Sequence, residues 1–241
     1  MFDIPTLFSW GPFTIPVPYM IFTIIGIMAL SFVYRKGRDL SLPIKDWIDI
    51  LLTSMLLYIA VWKFSTLLFH PTLLLYNPAT ILFGNGGSIG MSIGGLVALI
   101  YIFITVNRKG IPYFVFTDLL FYWLLITITA YWFIVPDFGK LTSLPWGVSV
   151  NDVTYAYHSL NMYRFIVGLS LLIYLSTKKI PFGSGVISII LIVSFGIGLL
   201  FISSLQYHSH TYLGLASVQW IYLVMIIFGF LFRYFKKISF K

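Results

Sequence analysis

Two stretches of the sequence hold the side chains best suited to chemistry. His158 precedes Ser159-Leu160-Asn161-Met162-Tyr163-Arg164 at the start of an apolar segment. An imidazole with an ordinary pKa near 6.5 can act there as a general base or sit in an interfacial hydrogen-bond network. Helical spacing would put positions 158, 161 and 162 on one face, with Arg164 pointing elsewhere. Lys63 lies inside another apolar segment. A cation at that depth either meets a lipid phosphate or snorkels toward the headgroups.

Three further groups are weaker. Gln206-Tyr207-His208-Ser209-His210-Thr211-Tyr212 contains two of the four histidines. Two imidazoles two residues apart hold a metal only with ligands from elsewhere, and a chain with neither Cys nor Glu has few to offer, so no metal site is expected. Gly84-Asn85-Gly86-Gly87 leads into Gly90, Gly94 and Gly95. Those glycines admit either a lipid headgroup or a neighbouring helix, and Gly90 and Gly94 have the small-xxx-small spacing. Tyr19, between Pro18 and Met20, offers its hydroxyl to a headgroup or belongs to an aromatic belt.

The elements that must position these residues follow from composition. Of 241 residues, 59% are hydrophobic and 9% charged, and the mean hydropathy is +0.97. A soluble domain carries roughly 25% charged residues, so an ordinary soluble protein is excluded. Each spanning helix takes about 20 apolar residues. Seven such segments are expected, at 15–34, 47–69, 89–106, 112–134, 159–177, 184–204 and 215–235. The predicted fold is all-α, an integral membrane protein forming one transmembrane domain over 1–241. The opening Met1-Phe2-Asp3-Ile4-Pro5 lacks a basic region and a small-residue cleavage site, so the first segment is expected to be a retained span.

Charge sets the expected orientation. Twelve of the fifteen Lys and Arg residues follow the first, third, fifth and seventh segments. The positive-inside rule then puts the N-terminus outside and the C-terminus inside. The formal charge of +8 therefore reflects topology and is not a nucleic-acid signal. Lys63, Lys140 and Arg164 are the exceptions, Lys140 being expected in solvent. The expected outer loops, 70–88 and 135–158, mix Pro, Gly and large apolar residues, as interfacial segments do. Chemistry is expected on that outer face.

In order along the chain, several segments resemble the prolipoprotein diacylglyceryl transferase family. Phe8-Ser9-Trp10-Gly11-Pro12 with Pro18-Tyr19-Met20 is similar to its first-span entry, and Lys63 to Phe69 to a second-span segment that carries Arg. Asn77-Pro78, Ile81-Leu82, Gly90-Met91-Ser92 and Gly94-Gly95-Leu96 follow its third-span approach. Gly139-Lys140-Leu141-Thr142-Ser143-Leu144-Pro145-Trp146-Gly147-Val148 is the best match. His158 to Tyr163 resembles its His-Pro-Thr-Gln-Leu-Tyr, and Leu213-Gly214-Leu215 with Gln219 its last span.

The resemblance implies a multi-pass protein of a bacterial-type plasma membrane. Its implied reaction moves diacylglyceryl from phosphatidylglycerol to a lipobox Cys thiol, with glycerol phosphate leaving and no cofactor. Implied partners are phosphatidylglycerol-like phospholipid and prolipoprotein signal segments. On this reading His158, Tyr19 and Lys63 are catalytic, while Tyr163, Arg164, Gly94, Gly95, Gly139, Trp146 and Gln219 bind substrate. The chain also departs from the family's pattern. Ile93 stands where a His precedes Gly-Gly, and Ile128 and Tyr131 where an Arg and an Asn occur. Leu199 and Ser203 replace an Arg and a Glu. Those replacements motivate the alternative, a non-catalytic relative that binds lipid or a membrane partner. A transporter or channel has less support, because the third, sixth and seventh segments are almost without polar groups to line a path.

Overall fold

The computed structural model describes residues 7–10, 13–69, 76, 86–150, 154–178 and 180–239. The expected chemistry of loop 70–88 falls almost entirely outside them. An antiparallel hairpin, β1 (Leu7–Trp10) and β2 (Phe13–Pro16), leads into α1 (Val17–Asp39). Helices α2 (Ile44–Phe69), α3 (Gly87–Arg108) and α4 (Tyr113–Ile134) follow. Strands β3 (Phe138–Leu141), β4 (Val148–Ser149) and β5 (Ala156–Ser159) form an antiparallel sheet in the order β3-β5-β4. Then come α5 (Leu160–Lys178), α6 (Val186–Ser203), a hairpin of β6 (Thr211–Tyr212) and β7 (Leu215–Ala216), and α7 (Ser217–Ser239). Among the described residues, seven helices are long and apolar enough to cross a membrane, as the apolar segments predict. The three small sheets lie in the connections, which the all-α expectation does not include.

The chain divides into two compact units. One holds Tyr34–Phe116 with Pro5–Val17, the other Pro18–Val33 with Thr117–Lys241.

In the first unit, α2 and α3 pack through glycine. A Cβ added at Gly90 would fall on the Ser65 hydroxyl, and one at Gly94 would lie 2.9 Å from the Tyr58 carbonyl. These glycines therefore serve helix contact, whereas a Cβ at Gly95 would meet nothing within 4 Å. Ser65 is fully buried and donates to the carbonyls of Trp62 at 2.7 Å and Gly86 at 3.0 Å. At the other end of α2, Lys109 reaches Asp46 at 2.8 Å and Asp49 at 3.0 Å. The hydrogen bond to Asp46, then that to Asp49, raises the Lys109 pKa above its ordinary 10.5.

In the second unit, Leu125, Leu175, Ile187 and Leu191 from α4, α5 and α6 form a buried cluster. Helix α6 has no ionisable residue of its own. Its N-terminus is served by Asp118 of α4, fully buried, which accepts from four donors. The Gly183 and Gly185 N–H groups donate to Oδ2 at 2.9 Å each. The N–H and hydroxyl of Ser188 donate to Oδ1 at 3.0 and 2.6 Å. A carboxylate borrowed from another helix thus does the work of a capping box. At the opposite end, the Lys140 ammonium donates to the Ser204 carbonyl at 2.8 Å, and the Lys140 N–H to Leu205 O at 2.8 Å. Lys140 is exposed, as its loop position predicts, and from there it also caps the C-terminal end of α6.

Four outcomes test this packing in detergent-solubilised protein. Asp118→Ala should cost about 3 kcal/mol of unfolding free energy, since buried charge-assisted bonds are lost together. Asp118→Asn should recover only part, because an amide offers one acceptor oxygen where the site uses two. Gly90→Val should destabilise by about 2 kcal/mol through overpacking against Ser65 and Trp62. The Lys109 contribution, measured as the thermal-midpoint difference from Lys109→Met, should be complete below pH 10.5. It should vanish as pH climbs through the raised folded value, where the ammonium loses its proton.

Candidate functional site

Strand β5 is the centre of the site. Tyr157 pairs with Val148 of β4 and with Leu141 of β3, and Ser159 with Phe138, across a register shift in β3. The chain passes from β5 straight into α5, whose first N–H groups need acceptors. The Asp137 carbonyl supplies one, accepting from Leu160 at 2.9 Å and Asn161 at 3.4 Å. Asn161 is buried; its side-chain amide donates to Trp132 O at 3.1 Å and its oxygen accepts from Ser159 Oγ at 2.8 Å. Gly139 lets β3 come close to the end of α6, since a Cβ there would fall on the Leu205 carbonyl.

This scaffold brings three of the sequence-predicted residues together. Trp146 Nε1 donates to Tyr163 Oη at 3.1 Å, and His158 Nδ1 lies 3.0 Å from the same oxygen. The His158 and Tyr163 rings are 5.9 Å apart, tilted by 58°. His158 belongs to β5, so the expected helical face of 158, 161 and 162 does not form. Tyr163 accepts the indole N–H. Its bond to His158 then runs either way: the hydroxyl donates to Nδ1, or Nδ1–H donates to the hydroxyl. In the second tautomer, Nε2 keeps its lone pair and the Tyr163 O–H is free to turn to a ligand. Trp146 is 60% exposed, so the group opens to the surface.

The remaining candidates have other surroundings. Arg164 forms an ion pair with Asp137, its side chain 13% exposed. Its charge is thereby largely taken up inside the protein. Gln219 Oε1 accepts from the Ala216 N–H at 2.9 Å, three residues back at the start of α7. That is the returning half of a capping box, a structural use the resemblance does not predict. Tyr19 is 66% exposed on the first turn of α1, and its carbonyl accepts from Thr23 at 2.8 Å. Lys63 stands half-buried on α2, in the other unit, together with Gly94 and Gly95 of α3. His208, from the two-histidine stretch, meets the Ser203 carbonyl through Nε2 at 2.9 Å.

Sequence reasoning missed Asp137 and Asp118, and it placed Asn161 beside His158 on a helical face without its part in the strand-to-helix junction. For Asp118 the signal was present, because an acid inside a 112–134 apolar run is rare without a purpose. Asp137 follows Pro136 at the end of α4, an ordinary loop signature that gives no hint of its two roles.

No protein-family model matches the chain. Over 150 residues, 60% of this chain, it is 27% identical to the phosphatidylglycerol–prolipoprotein diacylglyceryl transferase of Wolbachia pipientis subsp. Culex pipiens. The match spans about 57% of that relative's length. On a chain with seven membrane-length apolar helices, this distant similarity is to a transferase-type membrane protein.

Proposed function

We propose that the chain is a lipid transferase of the diacylglyceryl type, drawing on phosphatidylglycerol and acting on the Cys thiol of a lipoprotein signal segment. Its site faces outward in a bacterial-type plasma membrane, with the N-terminus out and the C-terminus in. The carrying observation is the Trp146–Tyr163–His158 group, supported by the similarity to a prolipoprotein diacylglyceryl transferase. In the step proposed, His158 Nε2 takes the thiol proton while Nδ1–H is held by Tyr163. The thiolate sulfur attacks the glycerol carbon that bears the phosphate ester. An S–C bond forms, the C–O bond breaks, and glycerol phosphate leaves with the electron pair. The Tyr163 O–H, oriented by Trp146, donates to the departing phosphate. Lys63 is proposed separately as a cation for lipid phosphate at headgroup depth, and Tyr19 as a headgroup hydroxyl.

A second reading is a non-catalytic lipid- or partner-binding relative. Two points favour it: Ile128, Leu199 and Ser203 stand where the family that the chain resembles has charged residues, and Arg164 is paired with Asp137.

The test uses purified protein in phosphatidylglycerol nanodiscs with a fluorescent lipobox peptide, read by mass spectrometry. A thioether-linked diacylglyceryl shift is expected, absent with a Cys→Ser peptide. His158→Ala should lower the rate about 100-fold, and Tyr163→Phe about tenfold. A wild-type chain that gives no shift, beside an active diacylglyceryl transferase, would establish the second reading. Full activity in His158→Ala would remove the base from this site.

A further inference from the structure

The turn from α1 to α2, within the first unit, borders an open pocket of about 520 Å³. Its lining combines two cations, Arg38 and Lys45, with Tyr34, Ser41, Leu42 and Asp46. The walls are firmly built. The N–H groups of Leu40, Ser41 and Leu42 bond to the carbonyls of Lys36, Arg38 and Gly37, with Ser41 in the left-handed region at φ 54°. Ile44, 4% exposed, packs on Gly37, so the end of one helix sits directly against the start of the next.

The electrostatics are one-sided. Asp46 shares the Lys109 ammonium with Asp49, at 2.8 and 3.0 Å, so positive charge leads here by number: Arg35, Lys36, Arg38, Lys45 and Lys109 against Asp39, Asp46 and Asp49. Asp39 lies 3.8 Å from Arg38, with both side chains at least 67% exposed. A pair so solvated neutralises little. Arg35 and Lys36 add positive charge in the preceding turn.

Lys45 also heads a stripe along α2. Leu52, Leu56 and Ile59 follow it by 7, 11 and 14 residues, which on a helix keeps them within about 40° of its direction. They are 43%, 67% and 50% exposed. A free phosphate ion has no use for such a stripe, whereas an acyl chain lies along it.

We propose that this pocket binds the phosphodiester headgroup of an anionic glycerophospholipid. Arg38 and Lys45 meet the phosphate oxygens, Ser41 and Tyr34 meet headgroup hydroxyls, and the acyl chains run along Leu52, Leu56 and Ile59. A headgroup fits the pocket's size, which is within the usual range for small-ligand sites. A guanidinium and an ammonium, with Arg35 and Lys36 close in sequence, make the kind of basic cluster that attracts an anionic lipid.

The test is independent of transferase activity, because it maps where a lipid sits. A phosphatidylglycerol carrying a diazirine near its glycerol backbone is photolysed with the full-length protein in nanodiscs, and adducts are located by peptide mass spectrometry. Adducts on residues 34–46 are expected, falling about tenfold or more in the Arg38→Gln/Lys45→Gln double variant. The charge-preserving Arg38→Lys/Lys45→Arg pair should keep them, with an unchanged thermal midpoint as the control for folding. Equal labelling by the phosphatidylcholine analogue, or equal labelling of the Gln double variant, would overturn the site. Loss of labelling in millimolar inorganic phosphate would assign the pocket to a soluble phosphate and overturn the lipid.

Discussion

Helix α6 takes its N-terminal cap from another helix, and the second unit is organised around that fact. It is the most apolar of the seven helices and the one most buried, and it contains no ionisable residue. Its terminal N–H and C=O groups still demand partners, because unpaired backbone at such depth costs several kcal/mol per group. Asp118 answers at one end and Lys140 at the other, an anion on the positive pole and a cation on the negative. The second of these contacts reaches the site. Lys140 belongs to β3, β3 pairs with β5, and β5 carries His158. The imidazole is thus fixed by a strand whose edge is fastened to the end of the central helix. Asp137, one residue before β3, ties the same junction twice, through its carbonyl to the start of α5 and through its carboxylate to Arg164.

This economy shapes the chemistry open to the site. The cation nearest the strand-to-helix junction is spent on holding Asp137, and an arginine so paired is a poor clamp for a departing phosphate. What turns to the surface is a phenol, an indole and an imidazole joined at one oxygen. Such a set moves a proton well and neutralises a dianion badly. Chemistry there would rest more on activating a nucleophile than on stabilising a leaving group, which is the reverse of what the family's arginines imply.

The sequence made the spans legible because apolar run length is a one-dimensional signal. The observed helices start and stop within a few residues of the apolar segments, and where they run longer, as α1 does to Asp39, the extension is basic and interfacial. The sheet was not legible. Strands of two to four residues with a register shift leave no alternation to detect. His158 therefore read as the start of a helix when it is the penultimate residue of a strand. The candidate residues separate along the same line. Trp146, His158 and Tyr163 converge on one oxygen, while Gln219 makes a helix cap and Gly139 a close backbone approach, neighbours that the resembling segments do not encode. Type and order survive in a motif; which neighbour a side chain finds does not.

Lys63 presented two readings in the sequence, a ligand for phosphate and a snorkelling amine, and helix geometry brings them together. It follows Lys45 by 18 residues, which is five full turns and roughly 27 Å along the axis. The two amines therefore share one face of α2 at a separation close to the roughly 30 Å hydrocarbon thickness, with Leu52, Leu56 and Ile59 exposed between them. At that spacing a lysine that snorkels and one that contacts a lipid phosphate would reach the same headgroup depth. Snorkelling and phosphate contact are then one arrangement seen from the side chain and from the lipid.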